Sequence, residues 1–114
     1  MDNKTSEVSV AIYVRVANIN FKTYDVASFQ LSRLVDYAKD ILHTDKIEIY
    51  QDLGYTGSSL ERPSFQKMMD DIISDNYTHL LVISPDRIAR NVVDFFEVLK
   101  ILKTHNIELI SIKD

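Results

Sequence analysis

The chain reads as an α/β protein: three layers, with a mainly parallel sheet of four strands, or five, flanked by helices in one domain spanning residues 1–114. Three observations predict this. Short apolar, β-branched runs alternate along the chain with longer amphipathic runs, and that alternation builds a parallel sheet covered on both faces. The turn residues fall between the runs rather than inside them. There are no repeats or low-complexity segments, and 114 residues suffice for one core.

The first strand is read over Val8–Val16, a nearly continuous β-branched run. A polar link, Asn18 to Asp25, follows. The first helix is expected over Val26–Leu42, with Ala27, Leu31, Leu34, Ala38 and Ile41 on one face. Lys46–Tyr50 alternates as a second strand. Asp52 to Ser59 reads as a mobile loop and holds both glycines of the chain. Pro63 suits the first position of a second helix, whose apolar stripe is Phe65, Met69, Ile72 and Ile73. Met68 and Met69 read as packing residues. His79–Ile83 is the third strand. Asp86–Thr104 is the third helix, with Asp86 as its N-cap, and Ile107–Ile112 is the fourth strand.

Composition narrows the function. Hydrophobic residues make up 46% and charged residues 26%, ordinary for a globular protein. With no cysteine there is neither a disulfide framework nor thiolate chemistry, which fits a cytoplasmic location. Met1 to Lys4 does not read as a secretory leader, and no apolar run reaches transmembrane length. A net charge of −4 makes the domain a weak non-specific binder of nucleic acid. His43, His79 and His105 lack metal-ligand spacing, so no metal is expected. The glycine loop has no lysine to hold a nucleotide phosphate, and the first strand does not end in the acids of a magnesium-dependent receiver.

The arginines carry the positive signal. Four of five, Arg15, Arg62, Arg87 and Arg90, fall at a strand's carboxyl end or in the loop and helix start that follow, the edge where such sheets bind ligands. Arg33, the fifth, is expected on an exposed helix face. Arg87 and Arg90 are expected to share one face of a first helical turn, where the macrodipole disfavours cations by roughly 0.3–1 kcal/mol each. Arginine grips phosphate or carboxylate in a bidentate fork and stays charged when buried. An anion, most simply a phosphate, is therefore the expected ligand. Asp86 has a second reading as a proton donor or acceptor, and Gln30 either aims its amide at this rim or is an exposed helix polar residue.

Several segments together resemble a family: Ala11–Val16; Gln30 with Leu34 and Tyr37-Ala38; Asp52-x-Gly54-x-Thr56-Gly57; Arg62-Pro63-x-Phe65; and Asp86-Arg87-Ile88-Ala89-Arg90-Asn91. In order and spacing they resemble the catalytic domain of serine site-specific recombinases, the resolvase/invertase family, and most closely its large-integrase and transposon-recombinase branch. The resemblance runs from about Val8 to Ile112. It implies a resolvase-like fold, DNA as partner, self-association into dimers or tetramers, and no cofactor or metal. In that family a serine attacks the DNA phosphodiester while arginines bind and polarise the phosphate. The resemblance assigns those arginine roles to Arg15, Arg62, Arg87 and Arg90, with Gln30 and Asp86 in support. It places the serine nucleophile at Ala17. Two further departures, Asn18 to Phe21 and Ser84-Pro85, fit natural divergence better than a single engineered change. The resemblance also implies a longer parent, with a dimerisation helix and DNA-binding region beyond Asp114. Ser58 and Ser59, in the glycine loop, are weak candidates for a substitute nucleophile, with no general base evident beside them.

Overall fold

The computed structural model describes residues 7–74 and 76–112. The N-terminal residues read above for a leader, and Asp114, lie outside that set. The strands are β1 (Val10–Val16), β2 (Ile47–Leu53), β3 (His79–Val82) and β4 (Glu108–Ser111). The helices are α1 (Thr23–Asp40), α2 (Pro63–Ile73) and α3 (Val92–Thr104), and a 3-10 turn covers Pro85–Arg87. All strand pairs are parallel, in the order β2-β1-β3-β4, so the sheet has four strands among the described residues.

β1 is central and buried along its whole length. Its alternate side chains enter two cores. Val10, Ile12, Val14 and Val16 meet Ala27, Leu34 and Ala38 of α1. Ala11 and Tyr13 meet Phe65, Met68 and Ile72 of α2 and Val98 and Leu102 of α3. Burial on both faces explains why β1 reads as an unbroken apolar run. Arg15 shares the phase of Tyr13, so the pleat sends it toward the α2 and α3 side.

Some boundaries differ from expectation. α1 starts at Thr23, where the Thr23 hydroxyl accepts from the Asn20 amide at 2.6 Å and donates to the Asn18 carbonyl at 3.1 Å. Ile41 lies past α1 and is 57% exposed. β2 continues to Leu53 because it stays paired with β1 through Val16, which makes Asp52 a strand residue opposite Arg15. Gly54 then turns the chain with φ of 87°, which only glycine adopts cheaply. In α2 Pro63 holds the first position, and Met68 takes the buried place expected for Ile73.

The main correction concerns the third helix. The span expected as Asp86–Thr104 is a short turn, an irregular stretch from 88 to 91, and then α3. The N-cap of α3 is Asn91, whose side chain accepts from the Asp94 amide at 2.8 Å and donates to its carboxylate at 2.9 Å. Asp86 instead accepts from the Ser84 hydroxyl. The helix is delayed because Ile88 and Ala89 are drawn into the core, and the Arg90 amide is taken by the Gly57 carbonyl at 3.0 Å. Arg87 and Arg90 therefore do not share a helix face. The Asn-x-x-Asp spacing was the available signal for this start.

Replacing the true cap should therefore cost more than replacing the expected one. Asn91→Ala is predicted to lower stability by about 1 kcal/mol in urea unfolding. Asp86→Ala should leave the helical circular dichroism and the midpoint nearly unchanged. An equal or larger loss from Asp86→Ala would contradict this assignment.

Candidate functional site

Arg15 leaves the carboxyl end of β1 and is 2% exposed. Its three nitrogens are all committed to main-chain carbonyls. Nε donates to Arg87 at 3.1 Å, Nη1 to Tyr55 at 3.1 Å and Nη2 to Asp86 at 2.6 Å. Arg62, just ahead of α2, is 1% exposed. Its Nε donates to the Ser59 carbonyl at 2.9 Å, and its Nη1 to the Arg87 carbonyl at 2.9 Å and the Tyr13 hydroxyl at 3.0 Å. Its Nη2 donates to the Ile88 carbonyl. The guanidinium also lies over the Phe65 ring, 4.6 Å from the centroid. Arg62 is thus fixed, although it follows closely on the loop read as mobile. Both guanidiniums converge on one acceptor, the carbonyl of Arg87.

Charge balance here is unusual. Among the described residues neither Arg15 nor Arg62 has a carboxylate at ion-pair distance. Arg62 reaches one indirectly: the Tyr13 hydroxyl that it touches donates to Asp52 Oδ2 at 2.7 Å. Asp52, 2% exposed, also accepts from the Ser64 and Phe65 amides at 3.0 Å each, so it caps the start of α2 from the neighbouring strand. Burial, and then the bond to Asp52, push the Tyr13 hydroxyl well above the ordinary tyrosine range. Burial, followed by the cations Arg87 and Arg62, pulls Arg15 below the usual arginine value. A guanidinium stays protonated regardless, so the site holds net positive charge at low solvent access.

Beside this frame lies a cavity of about 340 Å³, whose lining includes Ala17, Lys22, Thr23, Gln30 and Arg87. Gln30 is buried, not an exposed helix residue, and its Nε2 donates to the Arg15 carbonyl at 3.2 Å. Its Oε1 has no partner, and neither does Nε of Arg87. Arg15, Arg62, Arg87, Gln30 and Ala17 are thus gathered at one end of the sheet. Two other candidates sit apart, on a neighbouring cavity of about 480 Å³ with Phe95 and Phe96. Asp86 contributes its carbonyl to Arg15, while its carboxylate is held below the usual range by Ser84, with Arg87 a smaller contributor. Arg90 is exposed and packs its stem on Gly57, where an added Cβ would come within 2.7 Å of Arg90 Cγ and 2.8 Å of Arg15 Nη2. Sequence reasoning placed Tyr13 and Asp52 in the family motifs without giving either a role, and did not single out Lys22. For Asp52 the signal was an acid closing a strand shortly before a Pro-initiated helix.

Comparison with known proteins agrees with this architecture. Residues 10–114 match the family described as Resolvase, N terminal domain. The chain is 26% identical over 102 residues to the transposon Tn1546 resolvase of Enterococcus faecium, covering 90% of this chain and 46% of that protein. It spans less than half the length of the curated relatives it matches. The N-terminal catalytic domain of TP901-1 integrase superposes with a TM-score of 0.81 and 31% identity, over 90% of this chain and 76% of that one. A resolvase family site-specific recombinase from Streptococcus pneumoniae gives 0.72 and 33%, over 93% and 72%.

The Asp52 node generates a stability prediction. Asp52→Ala strands a buried hydroxyl and two helix-start amides, and should cost about 3 kcal/mol in urea unfolding. A loss below about 0.5 kcal/mol, the range of neutral surface changes, would show that the node does not hold α2.

Proposed function

This chain belongs to the resolvase family of serine recombinases as the N-terminal catalytic domain, and from that premise we propose that it grips a DNA phosphate without cutting the strand. The observation that carries the reading is Ala17. It follows β1 directly and lines the cavity with Gln30 and Arg87, where the family resemblance puts the attacking hydroxyl. A methyl group cannot displace an oxygen from phosphorus, so the covalent route is closed.

The other groups divide by what they have left to offer. Arg87 lines the cavity and is the proposed phosphate contact. Arg15 and Arg62, each bound to several main-chain carbonyls, act as positioning residues that hold the Arg87 turn and supply positive potential. Arg90 and the Asp86 carboxylate would meet DNA from the neighbouring cavity. With a net charge of −4, the domain is expected to owe most of its DNA affinity to regions outside these 114 residues. Further copies of the protein are its other expected partners. Among the described residues no helix is long and apolar enough to cross a membrane.

Loss of a nucleophile removes many powers of ten in rate and leaves only binding and electrostatic assistance. The full-length protein should therefore give no covalent adduct with its cognate DNA on a denaturing gel. Ala17→Ser should give one if the missing oxygen is the sole defect. No adduct from the serine form would assign the protein a purely binding role, with Asn18 to Phe21 also diverged. An adduct from the alanine form would overturn the reading and point first to Ser58 and Ser59.

A further inference from the structure

Three main-chain carbonyls of the loop between β2 and α2 meet arginines. Tyr55 accepts from Arg15 Nη1 at 3.1 Å, Gly57 from the Arg90 amide at 3.0 Å and Ser59 from Arg62 Nε at 2.9 Å. They are every second residue, so one edge of the loop carries all three acceptors. Among the described residues, the other hydrogen bonds of residues 55–59 are local, linking Thr56 to Ser58 and Ser59 to Glu61. The apolar anchor of the loop is Leu60, half-buried against the core shared by α2 and α3. The loop is therefore held down mainly by nitrogens of the arginine cluster.

The loop also shuts that cluster in. A guanidinium has five N–H groups, so Arg15 and Arg62 have donors beyond those their present partners take. Both side chains are buried, which puts those donors out of reach of a solute. Closure is tight because residue 57 has no side chain: an added Cβ would lie 2.8 Å from Arg15 Nη2 and 2.7 Å from Arg90 Cγ. Lifting the loop would free Arg15 Nη1 and Arg62 Nε. It would leave the bonds to the carbonyls of Asp86, Arg87 and Ile88 in place, since none of these belongs to the loop. The Arg87 turn thus stays braced in the open form. An anionic oxygen brings full charge where a carbonyl brings only a dipole, so it outcompetes the carbonyl for arginine.

We propose that residues 55–59 form a strap that a phosphate oxygen displaces. In the closed form the strap's carbonyls hold the arginine nitrogens, and anion binding and closure exclude each other. The inference rests on the reading above that this end of the sheet grips phosphate, and it adds how access to the grip is controlled. A ligand of the open form binds with an apparent affinity set by the population of that form. Loosening the strap should therefore tighten binding.

The test titrates sulfate, a phosphate-shaped dianion, into this chain and into Leu60→Ala. NMR shifts give the affinity, and hydrogen exchange reads the strap. The substitution keeps every arginine and every strap carbonyl. The Arg90 amide reports closure, because its partner is the Gly57 carbonyl. Without sulfate, Leu60→Ala should speed exchange at that amide about tenfold, the scale of truncating a half-buried leucine. Sulfate affinity should rise by the same factor. In the unchanged chain, sulfate should itself speed exchange at the Arg90 amide and shift the Nε–H signal of Arg62, a result that needs no variant. Slower exchange at the Arg90 amide with sulfate bound would show that the closed form is the binder and would overturn the inference. Faster exchange in Leu60→Ala with unchanged affinity would overturn it too, and either result leaves the phosphate site standing. Sulfate binding to neither protein would overturn both readings.

Discussion

The carbonyl of Arg87 is the point on which this end of the molecule is built. Two buried guanidiniums donate to it, one from β1 and one from the start of α2. Because each fork also reaches other carbonyls, the pair ties four segments together: β1, the loop after β2, the entry to α2, and the turn after β3. Buried carbonyls must be paired, and outside a helix or sheet arginine is well suited to pairing several at once. The irregular stretch between the 3-10 turn and α3 is thereby stable without secondary structure of its own. It can then bury Ile88 and keep Arg87 at the cavity.

The cost of this arrangement is electrostatic. Cations are taken out of water with carbonyl dipoles and one relayed carboxylate as compensation, and no direct ion pair among the described residues. A site built purely for stability would pair them with acids. Leaving them unpaired makes sense where an anion arrives in the working state, and Arg87 lines the adjoining cavity. The same electrostatics persist with alanine at position 17. In the proposed reading, binding and chemistry are therefore separable, as they depend on different atoms.

Much of the fold was legible because it follows from local pattern. β1 is apolar throughout since it is buried on both faces, and each helix shows a buried stripe at the expected spacing. What sequence missed came from long-range pairing. The start of α3 moved because the Arg90 amide is captured by Gly57, far away in the chain. The loop just before Arg62 read as mobile, yet partners of Arg62 lie on β1 and the turn after β3. Asp52 read as a loop residue because Asp and Gly favour turns, whereas pairing with β1 carries β2 past it. At the site, residue types pointed to one edge of the sheet, and the structure gathers Arg15, Arg62 and Arg87 there. Only the structure shows that Arg15 and Arg62 are tied to main-chain carbonyls.

The central claim is that Arg15 and Arg62 act as braces for the Arg87 turn. Arg62→Lys tests it most directly, since a single ammonium keeps the charge but cannot span Ser59, Tyr13, Arg87 and Ile88 together. Hydrogen exchange at the amides of residues 88–90, referenced to β1, reads the turn by itself. The account predicts that Arg62→Lys loses protection there selectively and loses about 3 kcal/mol of overall stability through unpaired carbonyls. Unchanged protection at residues 88–90 with an unchanged unfolding midpoint would contradict it.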